Sequence, residues 1–420
     1  MTEQIGPAQT GAGRLPEIKV PGLLTLLGLV AGLGAGLLLA RTSILPGVLA
    51  ITDPIGAMWL QALKMTILPL VTGLLFTGVV ETVAAANAGR MARRTLGWIL
   101  GLLALSATIG AVLMPLLIAA FDPPSGLAWP TAPPPTEVPG IADFLRSLLP
   151  GNVVTAAADD ALLPVIVFTL LFALASTRLA EAPRRQLALL FEGLAGAMMV
   201  LIGWVLQLAP IGVFALGLSL AGQSGADAIG ALAQYIVLVS CCGAVLMVLA
   251  YAVALLAGGK RLGAFARAVL PAQVVAVSTQ SSLASLPTML AACRALNVRA
   301  TSAEFVLPLA VTIFRVTSPA MNVAVCIYAA HLAGVELTAS MIAAGAMIAF
   351  VTTLGSVSLP GTVSFIASTG PIAAAMGVPL WPLAILVAVE MLPDIMRTVA
   401  NVTMDVAVTC AVDRGAERPE

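Results

Sequence analysis

Residues 269–296 read VLPAQVVAVSTQSSLASLPTMLAACRAL, an apolar stretch that is broken at its centre. The residues that break it are polar or proline, namely Ser278, Thr279, Gln280, Ser281, Ser282, Ser285 and Pro287. A helix that crosses a bilayer needs about 20 consecutive apolar residues, and neither half of this stretch is that long. The pattern therefore predicts two short helices that enter the membrane and turn back, which is a re-entrant hairpin.

A second broken stretch lies at residues 338–375. Its interruption consists of hydroxyl, glycine and proline residues, namely Thr352, Thr353, Gly355, Ser356, Ser358, Pro360 and Gly361. Two broken apolar segments in corresponding positions of two halves are typical of a transporter with a binding site at the membrane midplane. Either stretch alone is also compatible with one kinked span, or with two short spans whose serines join neighbouring helices.

The rest of the chain is typical of an all-α integral membrane protein. Of its 420 residues, 60% are hydrophobic and only 10% are charged. In a typical soluble domain, about a quarter of the residues are charged. The net charge is zero and no basic block is present, so nothing indicates a nucleic-acid partner. Apolar runs indicate eight helical spans in the lipid bilayer, at residues 21–40, 54–83, 96–121, 162–175, 188–220, 229–257, 305–333 and 381–412.

The positions of lysine and arginine predict the orientation, because short cytoplasmic loops are enriched in these residues. The loops after spans two, four and six are basic, with Arg90, Arg93, Arg94, Arg178, Arg184, Arg185, Lys260, Arg261 and Arg267. Both termini are therefore expected in the cytoplasm. The protein itself is expected in the inner cell membrane. Residues 1–20 are predicted to be a cytoplasmic tail and residues 122–160 an extracellular loop. The two broken stretches would then enter from opposite sides, which favours two re-entrant hairpins.

The eighth predicted span carries an unusual series of polar residues at helical spacing, namely Glu390, Asp394, Arg397, Thr398, Asn401 and Asp405. Ionisable residues inside a span are costly and usually face the interior of the bundle. The guanidinium of Arg397 matches a carboxylate, Asp394 can accept from an ammonium group, and Asp405 offers oxygens to a hard cation. The series predicts a site for a zwitterion with an extra carboxylate, and a cation beside it. The alternative is a structural ion pair between Asp394 and Arg397.

These residues and several motifs resemble the dicarboxylate/amino acid:cation symporters, the glutamate transporter family, over about residues 20–413. Residues 279–287, TQSSLASLP, resemble the family's TRSSSGTLP, and residues 394–405, DIMRTVANVTMD, resemble DMGRTMVNVTGD. Residues 63–69, LKMTILP, are similar to LKMLVMP, and residues 359–361, LPG, stand at the family's VPG.

The resemblance implies a homotrimer with inverted repeats, in which a fixed scaffold carries a transport domain that moves as an elevator. The scaffold would comprise residues 21–83 and 161–220, and the transport domain residues 96–121 and 229–413. The resemblance also implies residue roles. The substrate would contact Asp394, Arg397, Thr398, Asn401, Ser281, Ser282, Pro360 and Gly361. One sodium ion would be held by Asp405, Ala310 and Asn401, and a gating sodium by Thr312, Thr353, Leu354 and Ser356.

The seventh span departs from the family pattern. After residues 308–313, PLAVTI, the family has NMDGT, whereas this chain has FRVTS at residues 314–318. The third span has Leu102 and Leu105 where the family has a tyrosine and a threonine. Because a hard cation needs oxygen ligands, the loss of these side chains, together with Phe314 and Val316, predicts that one family sodium site is absent.

Arg315 takes the place of a methionine near the substrate and cation sites, while the first hairpin has Gln280 in place of an arginine. Arg315 could replace a lost ion, bind a second carboxylate, or pair with Glu390 or Asp394. The hypothesis is that it replaces part of the cation requirement, with less sodium or more proton coupling. The alternative is an arginine that snorkels from the span.

The expected function is therefore cation symport of aspartate or glutamate, with Na+ and possible H+ as coupling ions. One alternative is a C4-dicarboxylate:cation symporter, in which Arg315 binds the second carboxylate and Asp394 pairs internally. Another is an uncoupled anion channel or substrate sensor. An enzyme is disfavoured, because the sequence shows no nucleophile–base pair and no metal cluster.

Overall fold

The computed structural model describes residues 22–86, 89–121, 149–159, 162–225, 227–355 and 361–416. These residues form sixteen helices and no β-strand. The predicted tail at residues 1–20, most of the predicted loop at 122–160, and residues 356–360 of the second broken stretch lie outside the described residues. Seven helical segments of the described part are long and apolar enough to cross a membrane, so the predicted all-α, multi-pass fold is confirmed at this level.

The helices of the first half follow one another along the chain as α1 (Gly22–Leu39), α2 (Leu45–Ala86), α3 (Arg90–Ala120), α4 (Val153–Ala158), α5 (Leu162–Ser176), α6 (Glu181–Gln207), α7 (Ala209–Ser224) and α8 (Asp227–Leu256). Those of the second half are α9 (Leu262–Thr279), α10 (Leu286–Ala295), α11 (Ala300–Ile313), α12 (Thr317–Leu332), α13 (Ala339–Gly355), α14 (Gly361–Ala375), α15 (Trp381–Leu386) and α16 (Met391–Ala416).

One group of packed helices comprises α1, α2, α5, α6 and α7. Helix α1 lies directly on the backbone of α7, because a Cβ atom at Gly28 would come within 2.4 Å of the carbonyl oxygen of Pro210. Helix α2 packs on α6, where the rings of Phe76 and Phe191 stack with centroids 4.0 Å apart. Trp59 of α2 also donates a hydrogen bond of 3.0 Å to the carbonyl oxygen of Val205.

A second group forms around α16, which packs against α8, α9 and α11. Helix α12 packs against α3, with close backbone contact where a Cβ atom at Gly110 would lie 2.3 Å from the carbonyl oxygen of Ala320. Helices α13 and α14 pack on each other and on α2 of the first group. Helices α12 and α16 are the most completely buried of the long elements, since most of their side chains are inaccessible to solvent.

The first broken stretch forms two helices that pack against each other, α9 and α10. The turn between them begins at Gln280, whose φ of 50° places it in the left-handed region. Pro287 lies in the first turn of α10, where a missing N–H costs no helical hydrogen bond. The predicted chain reversal is therefore present between α9 and α10.

Three spans that were predicted as continuous helices are broken in the structure. The fifth, residues 188–220, divides into α6 and α7 at Leu208. The seventh, residues 305–333, is interrupted at 314–316, and the eighth, residues 381–412, at 387–390. A proline follows each break, at Pro210, Pro319 and Pro393. Each lacks the N–H that would bond to the carbonyl group four residues earlier, and each lies in the first turn of the next helix, where that N–H has no helical partner.

Candidate functional site

Three irregular segments of the second half come together with the first turns of α16. They are the break at 314–316, the turn at 280–285 and the turn at 387–390. The side chain of Gln280 donates a long hydrogen bond of 3.4 Å to the carbonyl oxygen of Met391, which links the first broken stretch to the start of α16. Non-helical backbone at membrane depth occurs where it is buried in protein or lines a cavity, so these segments mark the candidate site.

Arg397 is the centre of a buried polar network. Its Nη2 donates a hydrogen bond of 2.7 Å to Oε1 of Glu390, and its Nη1 donates one of 2.9 Å to Oδ1 of Asn322. Its Nε lies 3.4 Å from Oδ1 of Asp394. The other oxygen of Glu390 accepts a hydrogen bond of 2.6 Å from the hydroxyl of Tyr235. The ion pair between Asp394 and Arg397 that the sequence left open is therefore present, within a larger network.

Glu390 is placed differently from the prediction that it belongs to one helical stripe with Asp394 and Arg397. It lies in the turn before α16, because the helix begins only at Met391. The side chains of Glu390 and Asp394 nevertheless contact the same guanidinium group. Both are nearly inaccessible to solvent, at 2% and 6% exposure. Two acids and one arginine thus share a site that excludes water, where charges interact strongly.

Asn401 fixes the break in the seventh span. Its Oδ1 accepts hydrogen bonds from the backbone N–H and the hydroxyl of Thr317, at 3.0 and 2.9 Å. From α3, Ser106 donates a hydrogen bond to the carbonyl oxygen of Val316 and accepts one of 3.2 Å from the N–H of Ala320. Side chains of α3 and α16 thus bond backbone groups at the break, which would otherwise be buried without partners.

The remaining predicted substrate residues lie in three environments. Thr398 is buried, and its hydroxyl bonds the carbonyl oxygen of Asp394 one turn earlier. Ser281 and Ser282 lie partly buried in the turn between α9 and α10. Gly361 begins α14, and Pro360 lies outside the described residues.

Asp405 carries the main signal for a cation. It is 1% exposed, and among the described residues neither of its carboxylate oxygens has a hydrogen-bond partner. Ala310, whose carbonyl oxygen accepts the N–H of Phe314, and Asn401 are buried as well. A buried carboxylate without hydrogen bonds is expensive unless a charge offsets it, so the donor chemistry at Asp405 fits a bound Na+.

The predicted gating site is described only in part. Thr312 is exposed and its hydroxyl bonds the carbonyl oxygen of Pro308, whereas Thr353 is buried and its hydroxyl bonds that of Ala349. Leu354 is half-buried, and Ser356 lies outside the described residues. The described residues give no distances among these ligands, and the gating sodium stays a prediction.

The region of the predicted missing sodium site is apolar. Leu102, Phe314 and Val316 belong to one buried hydrophobic cluster. Leu105, in contrast, is 44% exposed and faces away from it. Apolar packing therefore fills this region, which is compatible with the predicted loss of the ion.

Arg315 lies half-buried in the break of the seventh span. Its charge is attracted to the carboxylates of Asp394 and Asp405 and repelled by Arg397. It therefore contributes a second positive charge to the same region, between the predicted substrate residues and the predicted cation residue.

Tyr235 and Asn322 were missed as site residues in the sequence. Both join the network from other helices: Tyr235 of α8 bonds Glu390, and Asn322 of α12 bonds Arg397. A buried polar side chain within an apolar span was the available signal, since such residues are usually turned to a functional interior. Their spacing along the chain, however, does not place them beside α16.

Comparison with known proteins gives one consistent result. The profile of the sodium:dicarboxylate symporter family matches residues 22–415. The "Proton/sodium-glutamate symport protein" of Bacillus subtilis (strain 168) is 26% identical over 390 residues, 90% of this chain and 88% of that protein. The "Proton/glutamate-aspartate symporter" of Escherichia coli (strain K12) is 26% identical over 84% of this chain and 83% of that protein. The "C4-dicarboxylate transport protein" of Anaeromyxobacter sp. (strain K) is 24% identical over 93% and 89%.

Proposed function

The chain belongs to the sodium:dicarboxylate symporter family, and we propose that it is a secondary active symporter that imports aspartate or glutamate together with a cation. The observation that carries this proposal is the buried pair of Asp394 and Arg397, whose charged atoms lie 3.4 Å apart at the start of α16. An acidic amino acid has an ammonium group for Asp394 and a side-chain carboxylate for Arg397. A neutral amino acid has no side-chain carboxylate and would leave Arg397 without a partner from the substrate.

In this proposal the other site residues surround the substrate. Thr398 and Asn401 bind it from α16, and the backbone at Ser281 and Ser282 closes over it from the first hairpin. Pro360 and Gly361 close over it from the second hairpin. The relatives named for glutamate and aspartate transport support the substrate class.

The cation supplies the driving force. A sodium ion would be held by the carboxylate of Asp405 with carbonyl oxygens of Ala310 and Asn401, because carboxylate and carbonyl oxygens suit hard cations. A second ion would bind Thr312, Thr353, Leu354 and Ser356. The family's remaining sodium site has apolar side chains in this chain. We therefore propose that fewer sodium ions are transported per substrate than the family pattern implies, and that protons contribute to the coupling. Arg315 would replace part of the lost positive charge.

The proposed mechanism is alternating access by an elevator movement in a homotrimer. Helices α1, α2, α5, α6 and α7 form the scaffold, and α3 with α8–α16 forms the transport domain, in line with the two groups of packed helices. The two broken stretches are re-entrant hairpins, and the second acts as the extracellular gate. The protein lies in the inner cell membrane with both termini in the cytoplasm.

Competition experiments in proteoliposomes test the substrate. Uptake of labelled aspartate is measured in the presence of an excess of unlabelled glutamate, succinate or serine. Strong competition by glutamate, with weak competition by succinate and serine, is the expected result. Equal or stronger competition by succinate would contradict transport of an amino acid, and strong competition by serine would contradict selection by Arg397.

A C4-dicarboxylate is the second candidate substrate. It would use the same residues differently: Asp394 would keep its pair with Arg397, and Arg315, whose charge acts on the same region, would bind the second carboxylate. The relative named for C4-dicarboxylate transport also supports it. The uncoupled channel or sensor is tested in the same vesicles: accumulation of aspartate against its gradient, abolished by an ionophore, would exclude it.

A further inference from the structure

All three nitrogen atoms of the Arg397 guanidinium face acceptors from the protein itself. These acceptors are Glu390, Asn322 and, at a longer distance, Asp394. A substrate carboxylate that approaches Arg397 would be the third carboxylate at a single guanidinium group. The site as it stands is therefore not ready to receive an anion, and one of the resident acids must change first.

Glu390 is bonded at both carboxylate oxygens. One oxygen accepts from Arg397 at 2.7 Å and the other from the hydroxyl of Tyr235 at 2.6 Å. Tyr235 is itself inaccessible to solvent and packs on Tyr328, with ring centroids 5.6 Å apart. Glu390 itself is only 2% exposed, so solvent does not screen its charge, and neutralisation by a proton is the change that would free Arg397.

The charges in this region also indicate that a proton accompanies the substrate. Glu390, Asp394 and Asp405 carry three negative charges, and Arg315 and Arg397 carry two positive ones, so the region is balanced without substrate when the sodium ion proposed above lies at Asp405. An acidic amino acid brings two carboxylates and one ammonium group, which adds one net negative charge. Uncompensated charge in a site that excludes water is strongly unfavourable, and one proton on Glu390 restores the balance.

We propose that Glu390 is the proton-coupling residue of this transporter: it takes up one proton when the acidic substrate binds to Arg397 and releases that proton on the cytoplasmic side. The proposal rests on the function proposed above. The proton comes from the extracellular water and forms an O–H bond on the Glu390 carboxyl group. The neutral carboxyl group binds Arg397 more weakly, so the guanidinium N–H groups become available to the substrate carboxylate.

Tyr235 can remain the partner of Glu390 in both states, because a phenolic hydroxyl both donates and accepts hydrogen bonds. The ionisable groups that face Glu390 within the described residues are few. They are Tyr235 from α8, and Asp394 and Arg397 from α16. Cys326 of α12 acts on Tyr235, and Arg315 acts on Asp394. Helices α7 and α14 contain no ionisable residue. Of the two acids beside Arg397, Glu390 makes the shorter contact, at 2.7 Å against 3.4 Å for Asp394.

The first test measures protons directly in the purified wild-type protein. L-aspartate is added in a weakly buffered detergent solution near neutral pH, and a pH-indicator dye reports the protons taken up per aspartate bound. We expect about one proton per aspartate in the wild type and in Glu390→Asp, and none in Glu390→Gln. Aspartate binding without proton uptake in the wild type would overturn the proposal, even if no variant folds.

The second test uses transport. In proteoliposomes without a sodium gradient, a pH gradient with the alkaline side inside should accumulate aspartate several-fold in the wild type. In Glu390→Gln we expect this accumulation to be lost, whereas exchange of internal for external aspartate continues and no longer depends on pH. The matched control is Glu304→Gln, which changes an exposed glutamate of α11 and should behave as the wild type.

These outcomes separate the two proposals. A Glu390→Gln variant that still accumulates aspartate with the pH gradient would overturn the role of Glu390 and leave aspartate symport intact. A wild-type protein that neither binds, exchanges nor accumulates aspartate or glutamate would instead overturn the proposed function itself. Tyr235→Phe provides a further readout, because loss of the hydrogen bond to Glu390 should shift the pH dependence of exchange without abolishing it.

Discussion

The side-chain oxygen of Asn401 accepts two hydrogen bonds from Thr317, one from the backbone N–H at 3.0 Å and one from the hydroxyl at 2.9 Å. This contact joins the middle of α16 to the first residue of α12, just after the break in the seventh span. Arg315 lies two residues before Thr317, so this amide is one of the groups that hold the break, and Arg315 with it, beside α16.

The hydroxyl of Thr317 is expected to stabilise the break. Thr317→Val keeps the shape and the backbone N–H but removes one buried hydrogen bond to Asn401. The free energy of unfolding should fall by about 1 kcal/mol, measured as a lower midpoint of thermal unfolding in detergent. Thr108→Val is the control, because the exposed hydroxyl of Thr108 bonds only its own helix. Equal stability of the two variants would contradict a structural role for this contact.

Arg397 is expected to determine the affinity for acidic substrates. Arg397→Lys keeps the charge but loses the planar fork that can bind a carboxylate with two parallel hydrogen bonds. A hydrogen bond to a charged group contributes about 1.5–3 kcal/mol, which corresponds to roughly ten- to hundredfold weaker binding. Displacement of labelled aspartate by unlabelled aspartate measures this change.

Arg299→Lys is the control for that variant, because Arg299 pairs with Asp413 near the end of α16 and its side chain is 43% exposed. Its affinity for aspartate should equal that of the wild type. Wild-type affinity in Arg397→Lys would show that the substrate carboxylate binds elsewhere.

Asp405 is expected to hold a sodium ion. A ligand that binds the folded state stabilises it, so sodium chloride should raise the unfolding temperature of the wild type more than choline chloride does. In Asp405→Asn this difference should become clearly smaller, because the carboxylate charge is lost and the second proposed ion alone remains. The control Asp227→Asn changes an exposed acid at the start of α8 and should keep the full difference. A sodium effect of undiminished size in Asp405→Asn would show that Asp405 holds no sodium ion.

Arg315 is expected to reduce the sodium requirement. The number of sodium ions transported per aspartate, measured with ²²Na in proteoliposomes, should be lower than the family pattern implies. In Arg315→Gln the number of sodium ions transported per aspartate should increase, or the sodium concentration for half-maximal uptake should change several-fold. An unchanged, full sodium stoichiometry in both proteins would refute the substitution of a cation by the guanidinium group.

Much of the fold could be predicted from the sequence, because hydropathy and polar interruptions report directly on length and burial. The broken stretch at 269–296 predicted the chain reversal between α9 and α10. The breaks at Leu208, 314–316 and 387–390 were not predicted, since long apolar segments flank each of them. The prolines that follow them gave no clear signal, because prolines also lie inside the continuous helices α2, α3 and α11.

The site was predictable where its residues are close in sequence. Asp394, Arg397 and Asn401 lie on α16 as their spacing indicated. Tyr235 and Asn322 could not be assigned in this way, because Tyr235 bonds Glu390 across 155 residues of sequence and Asn322 bonds Arg397 across 75. The bond between Arg397 and Glu390 was also missed, since Glu390 was assumed to continue the helix.

Uptake of labelled L-aspartate into proteoliposomes, with the sodium gradient and the pH gradient imposed independently, distinguishes cation-coupled from uncoupled transport. We expect accumulation against the aspartate gradient when either cation gradient points inward, and its collapse when an ionophore dissipates that gradient. Equilibration of aspartate to the same internal concentration with and without either gradient would contradict cation-coupled symport.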